Sequence, residues 1–144
     1  ANEVYNKDGK SVKVSPFADE KDLKDNIADA KIIVNEAKVN VEIKAHLDST
    51  ILIGHKNPEY IIDEVTADRK ALSTDKVKNL RNIYKSATKQ DCEALVLNLE
   101  KTNLKFKDVQ SEVERKFKTF PKIKTVYIID KNGDCTIMQK EPNK

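Results

Sequence analysis

The chain has 144 residues, of which 38% are hydrophobic and 35% charged, with no tryptophan and a net charge of +3. That length makes one domain the default and allows a real core, built here mainly from Ile, Val and Leu. No apolar run approaches the roughly 20 residues that span a bilayer, and three glycines in all leave no phosphate-cradling or dinucleotide loop.

In chain order, Val4 and Tyr5, the pair Asp8-Gly9, and Val12 and Val14 read as a hairpin that Pro16 ends. Leu23, Ile27, Ala30, Val34 and Ala37 then recur at helical spacing, with Asp19 as a cap. From Lys38 the period changes to two. Val39, Val41, Ile43, Ala45 and Leu47 alternate with polar residues, which predicts a half-buried strand rather than a longer helix. Ile51–Ile53 reads as a short strand, GHKNPE as a loop, and Tyr60–Val65 as a strand. Ser73, Thr74 and Asp75 offer caps for a helix carrying Val77, Leu80, Ile83, Tyr84 and Ala87. Leu95, Leu97 and Leu99 alternate. Phe106, Val109, Val113, Phe117 and Phe120 form the best helical stripe, stopped by Pro121. Val126–Ile129 and Cys135–Met138 close the chain as strands. The pieces mix without regular βαβ alternation. They imply an α+β fold, one domain over 1–144, with a mostly antiparallel sheet and two to four helices packed on one side. The motif Tyr-Ile-Ile-Asp occurs twice, at 60–63 and 127–130, a hint of a repeated unit.

The loop DKNGDCTIMQKE, Asp130–Glu141, resembles an EF-hand calcium loop through Asp130, Asn132, Asp134 and Glu141. Position 6 of such a loop needs glycine and here holds Cys135, and the preceding stretch is β-branched rather than helical. The same letters fit a hairpin turning at Asn132-Gly133, so no metal site is expected there.

The two histidines, His46 and His55, could join Asp48 or Glu59 in a site, but their spacing matches no metal motif. No serine sits in a nucleophile elbow. The carboxylate pairs Asp22/Asp25, Asp63/Glu64 and Glu112/Glu114 carry no mark of burial and read as surface charge. No cofactor is expected.

Charge is segregated, with a net −3 over residues 1–70 and +6 over 71–144. The densest basic stretch holds Lys101, Lys105, Lys107, Arg115, Lys116, Lys118, Lys122 and Lys124. These are the candidate binding residues, with Tyr84, Phe106 or Tyr127 as anchors wherever exposed. No reading motif accompanies them, so a protein is the expected partner rather than nucleic acid. Cys92 and Cys135 lie far apart. A disulfide between them would close a loop of about 44 residues and add about 4 kcal/mol. The opening stretch EVYNKDG resembles the mature start of enterobacterial outer-membrane porins, though no succession of barrel strands follows. That resemblance and the disulfide together imply a periplasmic or secreted protein.

The sequence therefore favours a small exported non-catalytic binding protein, such as an immunity protein or inhibitor directed at a toxin or hydrolase, or an envelope accessory factor. A hydrolase using His46, His55 and nearby carboxylates, and a basic binder of nucleic acid or anionic lipid, are the alternatives.

Overall fold

The structure is a computed structural model. Residues 1–16, 18, 22–44 and 59–142 are described.

The described residues form one sheet of eight strands in chain order. The strands are β1 (Asn2–Lys7), β2 (Lys10–Val14), β3 (Val41–Ile43), β4 (Tyr60–Ile62), β5 (Val65–Ala71), β6 (Ala94–Asn98), β7 (Thr125–Ile129) and β8 (Cys135–Gln139). Three α-helices accompany them: α1 (Leu23–Ala37), α2 (Leu80–Lys89), which follows a 3-10 turn at Val77–Asn79, and α3 (Phe106–Thr119). The pairings β1/β2, β3/β4, β4/β5 and β7/β8 are antiparallel, whereas β2/β3, β5/β6 and β6/β7 are parallel. A single α+β domain with a mostly antiparallel sheet is what the sequence implies.

The helices do not share one side. Successive residues of a strand point to opposite faces, and β6 shows where each face is covered. Ala94 and Val96 pack with Ala30, Ile33 and Val34 of α1. Leu95 and Leu97 pack with Leu80 and Tyr84 of α2 and with Val109 and Val113 of α3. β6 is an interior strand, between β5 and β7, and all five of its residues are buried. The single-sided expectation failed because an unbroken apolar run such as Leu95-Val96-Leu97 signals cover on both faces, while the alternation of its leucines points to one.

The first hairpin turns at Asp8 (φ 54°) and Gly9 (φ 86°), as the Asp-Gly pair requires. α1 ends at Ala37, where Lys38 takes a left-handed conformation (φ 56°) before β3 begins. This supports a strand over the longer helix. Asp19, Ala45, Leu47 and the Ile51–Ile53 strand lie outside the described residues. The last hairpin turns over three residues rather than two. Asp130 N–H donates to the Asp134 carbonyl, and Gly133 alone is left-handed (φ 81°). Asp130 Oδ1 accepts the backbone N–H groups of Asn132 and Asp134 at 2.8 and 3.0 Å, so this carboxylate organises the turn. Both Tyr-Ile-Ile-Asp segments lead into hairpin turns, at Asp63 and at Asp130.

Candidate active site at the β4–β5 hairpin

The run Tyr60–Val65, read from sequence as one strand, is a strand plus a turn. Asp63 (φ 43°) and Glu64 (φ 72°) both occupy the left-handed region, which a two-residue hairpin turn demands. Asp and Asn tolerate that conformation best after glycine, and the turn is held from outside. Asn40 N–H donates to Asp63 Oδ1 at 2.8 Å, and Asp63 N–H donates to the Asn40 carbonyl at 2.9 Å. Reversal of the chain here pairs Ile62 with Val65 and Tyr60 with Ala67. Beyond the end of this ladder, Glu59 lies near enough to Asp68, nine residues away in sequence, for the two charges to interact.

Asp68 is buried, 2% exposed. Lys70, two residues on, shares its face of β5 and is half-buried. Arg69, between them, points to the opposite face and meets α1. Its Nε donates to Asp29 Oδ2 at 2.5 Å. The Asn98 amide, from the end of β6, donates to both oxygens of Asp29 at 2.9 and 3.1 Å. A helical turn earlier, the Asn26 carbonyl accepts the hydroxyl of the fully buried Tyr60 at 2.6 Å, and the Asn26 side chain lies near enough to Glu59 to lower its carboxyl. Asp29, Arg69, Asn98 and the Tyr60 hydroxyl are tolerated in the interior because each finds a hydrogen-bond partner there.

The charges are coupled. Burial pushes the Glu59 carboxyl above its ordinary range, and the neighbouring Asp68 charge pushes it further. The Asn26 hydrogen bond, Arg69 and Lys70 pull it back only in part. Burial alone would lower the Arg69 guanidinium, but the bond and the charge of Asp29, with Tyr60 and Glu59, together raise it. Two carboxylates that repel one another, with a lysine alongside, form an arrangement that a hard divalent cation would relieve. Among the described residues no group of three or more His, Cys, Asp or Glu side chains gathers. Glu59 and Asp68 alone, all-oxygen donors, suit an ion of the Mg²⁺ type, which keeps several waters and takes one or two carboxylates from the protein. The buried Asn26 Oδ1 has no hydrogen-bond partner among the described residues, so the same corner holds an unused acceptor. The residues present fit such an ion.

The basic candidates from the sequence are not one surface. Lys122 pairs with Asp91 at 3.5 Å and Lys124 with Glu93 at 3.3 Å, at the starting ends of β6 and β7. Arg115 and Lys116 both hold Glu112 on α3. Lys101, Lys105, Lys107 and Lys118 are exposed. Lys101 and Lys105 follow the far end of β6, the end towards which Lys70 lies on β5. The loop carrying Lys101 is docked there by Thr102, whose hydroxyl donates to the Thr74 carbonyl. As for the proposed anchors, Tyr84 and Tyr127 are buried and Phe106 packs against the core.

The expected disulfide is overturned. Cys92 and Cys135 are both free. Cys92 belongs to the core under α2 and α3, and Cys135 packs against the core under α1, so the sheet separates them. Burial pushes each thiol up to about 12, too high for a nucleophilic thiolate at neutral pH. His46, His55 and Asp48 lie outside the described residues. Of the acids linked with them, Glu59 is the one placed at this site. Asp68 and Lys70 were missed. Their signal is Pro58-Glu59 followed by Asp68-Arg69-Lys70 across two short strand-like runs. It becomes visible only once Asp63-Glu64 is read as the turn.

This fold and site define an α+β domain with a carboxylate pair and a lysine at the end of a hairpin. Residues 56–135, just over half of the chain, match the family described as the contact-dependent growth inhibition CdiA C-terminal domain, and the chain belongs to that family. The matched stretch contains Glu59, Asp68 and Lys70, but not α1. A solved structure described as a CdiA-CT/CdiI toxin and immunity complex from Burkholderia pseudomallei is similar in fold. Its TM-score is 0.63 at 23% identity, over 89% of this chain and 94% of that one. No curated protein matches. No helix among the described residues is long and apolar enough to cross a membrane.

Proposed function

We propose that this chain is a toxin domain that hydrolyses phosphodiester bonds in nucleic acid with the help of a divalent cation. The observation that carries this is that the charges of Asp68, which is buried, and of Lys70 both act on the Glu59 carboxyl at the end of the β4–β5 hairpin. Glu59 and Asp68 would hold the ion, which when bound supplies Lewis-acid polarisation of a phosphoryl oxygen. Lys70 offers a positive charge and three donors to the negative charge that develops on phosphate oxygens. The hydrophobic cores on both faces keep the two strands rigid.

The family description supports the toxin half of a toxin–immunity pair over the immunity half that the sequence favoured. The protein partner expected from the sequence is then an immunity protein that neutralises the domain, by analogy with the complex described above. Contact-dependent inhibition implies action on a neighbouring cell, which supports export from the producing cell. Nucleic acid, set aside on sequence grounds, returns as the substrate.

The test is cleavage of DNA and RNA substrates by the purified domain with Mg²⁺ or Mn²⁺. Degradation that stops on chelation and returns with added metal is the expected result. Intact DNA and RNA under all these conditions would overturn the reading.

Lys101, Lys105 and Lys107 are the members of the basic segment proposed to meet the polyanion, because Lys122 and Lys124 are already matched by Asp91 and Glu93. In the Asp68→Asn background, K101E/K105E is expected to weaken oligonucleotide binding. It should lower the slope of log K against log salt by roughly one for every phosphate no longer neutralised. K122E/K124E should change that slope little. Fluorescence anisotropy across a salt series reads both.

A further inference from the structure

Among the described residues the sheet ends at β1 on one side and β8 on the other. An edge strand carries a row of unpaired main-chain N–H and C=O groups, and proteins blunt it with charge, proline or a bulge. β1 is blunted. It carries Glu3 and Lys7, and its register with β2 shifts between Glu3 and Tyr5. β8 reads Cys135-Thr136-Ile137-Met138-Gln139, without a charge or a proline. It runs in unbroken register along β7, and its middle residue, Ile137, is 39% exposed.

The ladder fixes which groups are open. Lys140 N–H donates to the Lys124 carbonyl at 2.8 Å, and Asp130 N–H to the Asp134 carbonyl at 2.9 Å. Main-chain groups alternate in direction along an antiparallel pair. Those of Thr136 and Met138 therefore point at β7, and those of Cys135, Ile137 and Gln139 point away from the sheet. Side chains alternate between the faces as well. Met138 packs against the core under α2 and α3, and Cys135 against the core under α1, so Asp134 and Lys140 lie on the α3 side. A groove of about 490 Å³ opens there between α3 and the end of β8. Three of its seven lining residues, Arg115, Lys118 and Lys140, are cationic, and two, Glu114 and Glu141, are acidic.

We propose that β8 pairs antiparallel with β8 of a second copy, joining two sheets into one across a two-fold axis at Ile137. Ile137 then faces its own counterpart, and Cys135 faces Gln139 on either side of it. Every outward N–H and C=O of β8 finds a partner in this register. The neighbouring symmetric registers carry Cys135 or Gln139 past the end of the partner strand. The same register sets the exposed Asp134 opposite Lys140 of the second copy, at the rim of the groove, and does so twice. Unlike charges directly across a ladder stabilise it, and this match is what selects a second copy as the occupant. β6 and β7 separate the contact from β5, and it does not depend on the reaction proposed for Glu59, Asp68 and Lys70.

Sedimentation velocity over a dilution series is the test, with a reversible monomer–dimer equilibrium expected for the parent. Asp134→Lys and Lys140→Asp each bring like charges together twice, and each should raise the dimer Kd roughly tenfold or more. D134K/K140D restores unlike pairs and should return the parental Kd. The two positions lie about 20 Å apart along one strand, so rescue cannot arise within a chain. Ile137→Pro removes the central outward N–H, which β7 does not use, and an edge strand tolerates proline there. It should leave a monomer that melts like the parent. Should that variant fail to fold, the charge reversals still decide. A parent that is monomeric throughout, including one whose β8 pairs only with a strand of a different protein, would overturn the proposal. So would a dimer that both charge reversals leave unmoved, or one that D134K/K140D does not restore.

Discussion

Asp68→Asn is expected to reduce nucleic-acid cleavage roughly 10²- to 10³-fold while the domain stays folded. That magnitude is typical when one preorganised electrostatic contributor to a transition state is removed. The substitution keeps size and shape at a position that is 2% exposed, so packing around β5 is preserved. It also removes the charge that, after burial itself, contributes most to raising the Glu59 carboxyl. The loss should therefore show in kcat and in Mn²⁺ binding rather than in melting temperature. Asp75→Asn serves as the control. It makes the same chemical change at an exposed acid ahead of the 3-10 turn, and cleavage should be unaltered. If Asp68→Asn cleaves like the parent, the carboxylate pair is not the catalytic centre.

The second large effect concerns stability. Asp29→Ala is expected to destabilise the fold by about 3–5 kcal/mol, the usual consequence of stranding one member of a buried ion pair. Side-chain exposure is 10% for Arg69 and 5% for Asp29, so water cannot readily replace the lost carboxylate. The Asn98 amide would lose its two acceptor oxygens at the same time. Against a total stability of roughly 5–15 kcal/mol, such a change removes a large share. It should lower the melting temperature by about 10 °C or more for a chain of this size. Urea denaturation followed by circular dichroism measures it directly. Lys124→Ala breaks an ion pair whose side chains are 65% and 48% exposed. It should cost under about 1 kcal/mol. Equal effects from the two substitutions would mean that the α1–β5 clamp contributes no more than a surface pair.

Local pattern in the sequence was enough for most of the elements. The Asp8-Gly9 turn, the stripe of α3, the change of period at Lys38 and the strands β7 and β8 each follow from backbone preference or side-chain periodicity over a few residues. So does the hairpin at Gly133, where only glycine enters the left-handed region without strain. The α+β class follows from their mixture. What periodicity could not convey was which residues become neighbours across the sheet. The turn at Asp63-Glu64 carries no glycine, and its left-handed backbone is held by Asn40 from another part of the chain. Without that turn Glu59 and Asp68 have no reason to meet, and Asp68, Arg69 and Lys70 read as ordinary surface charge. The same limit misplaced the helices on one face and joined Cys92 to Cys135 through the sheet that parts them. A candidate site made of one residue past the end of a ladder and two from the next strand is a product of long-range packing. Local preference sets which segments are strand or helix; burial and charge pairing between segments set which side chains stand together.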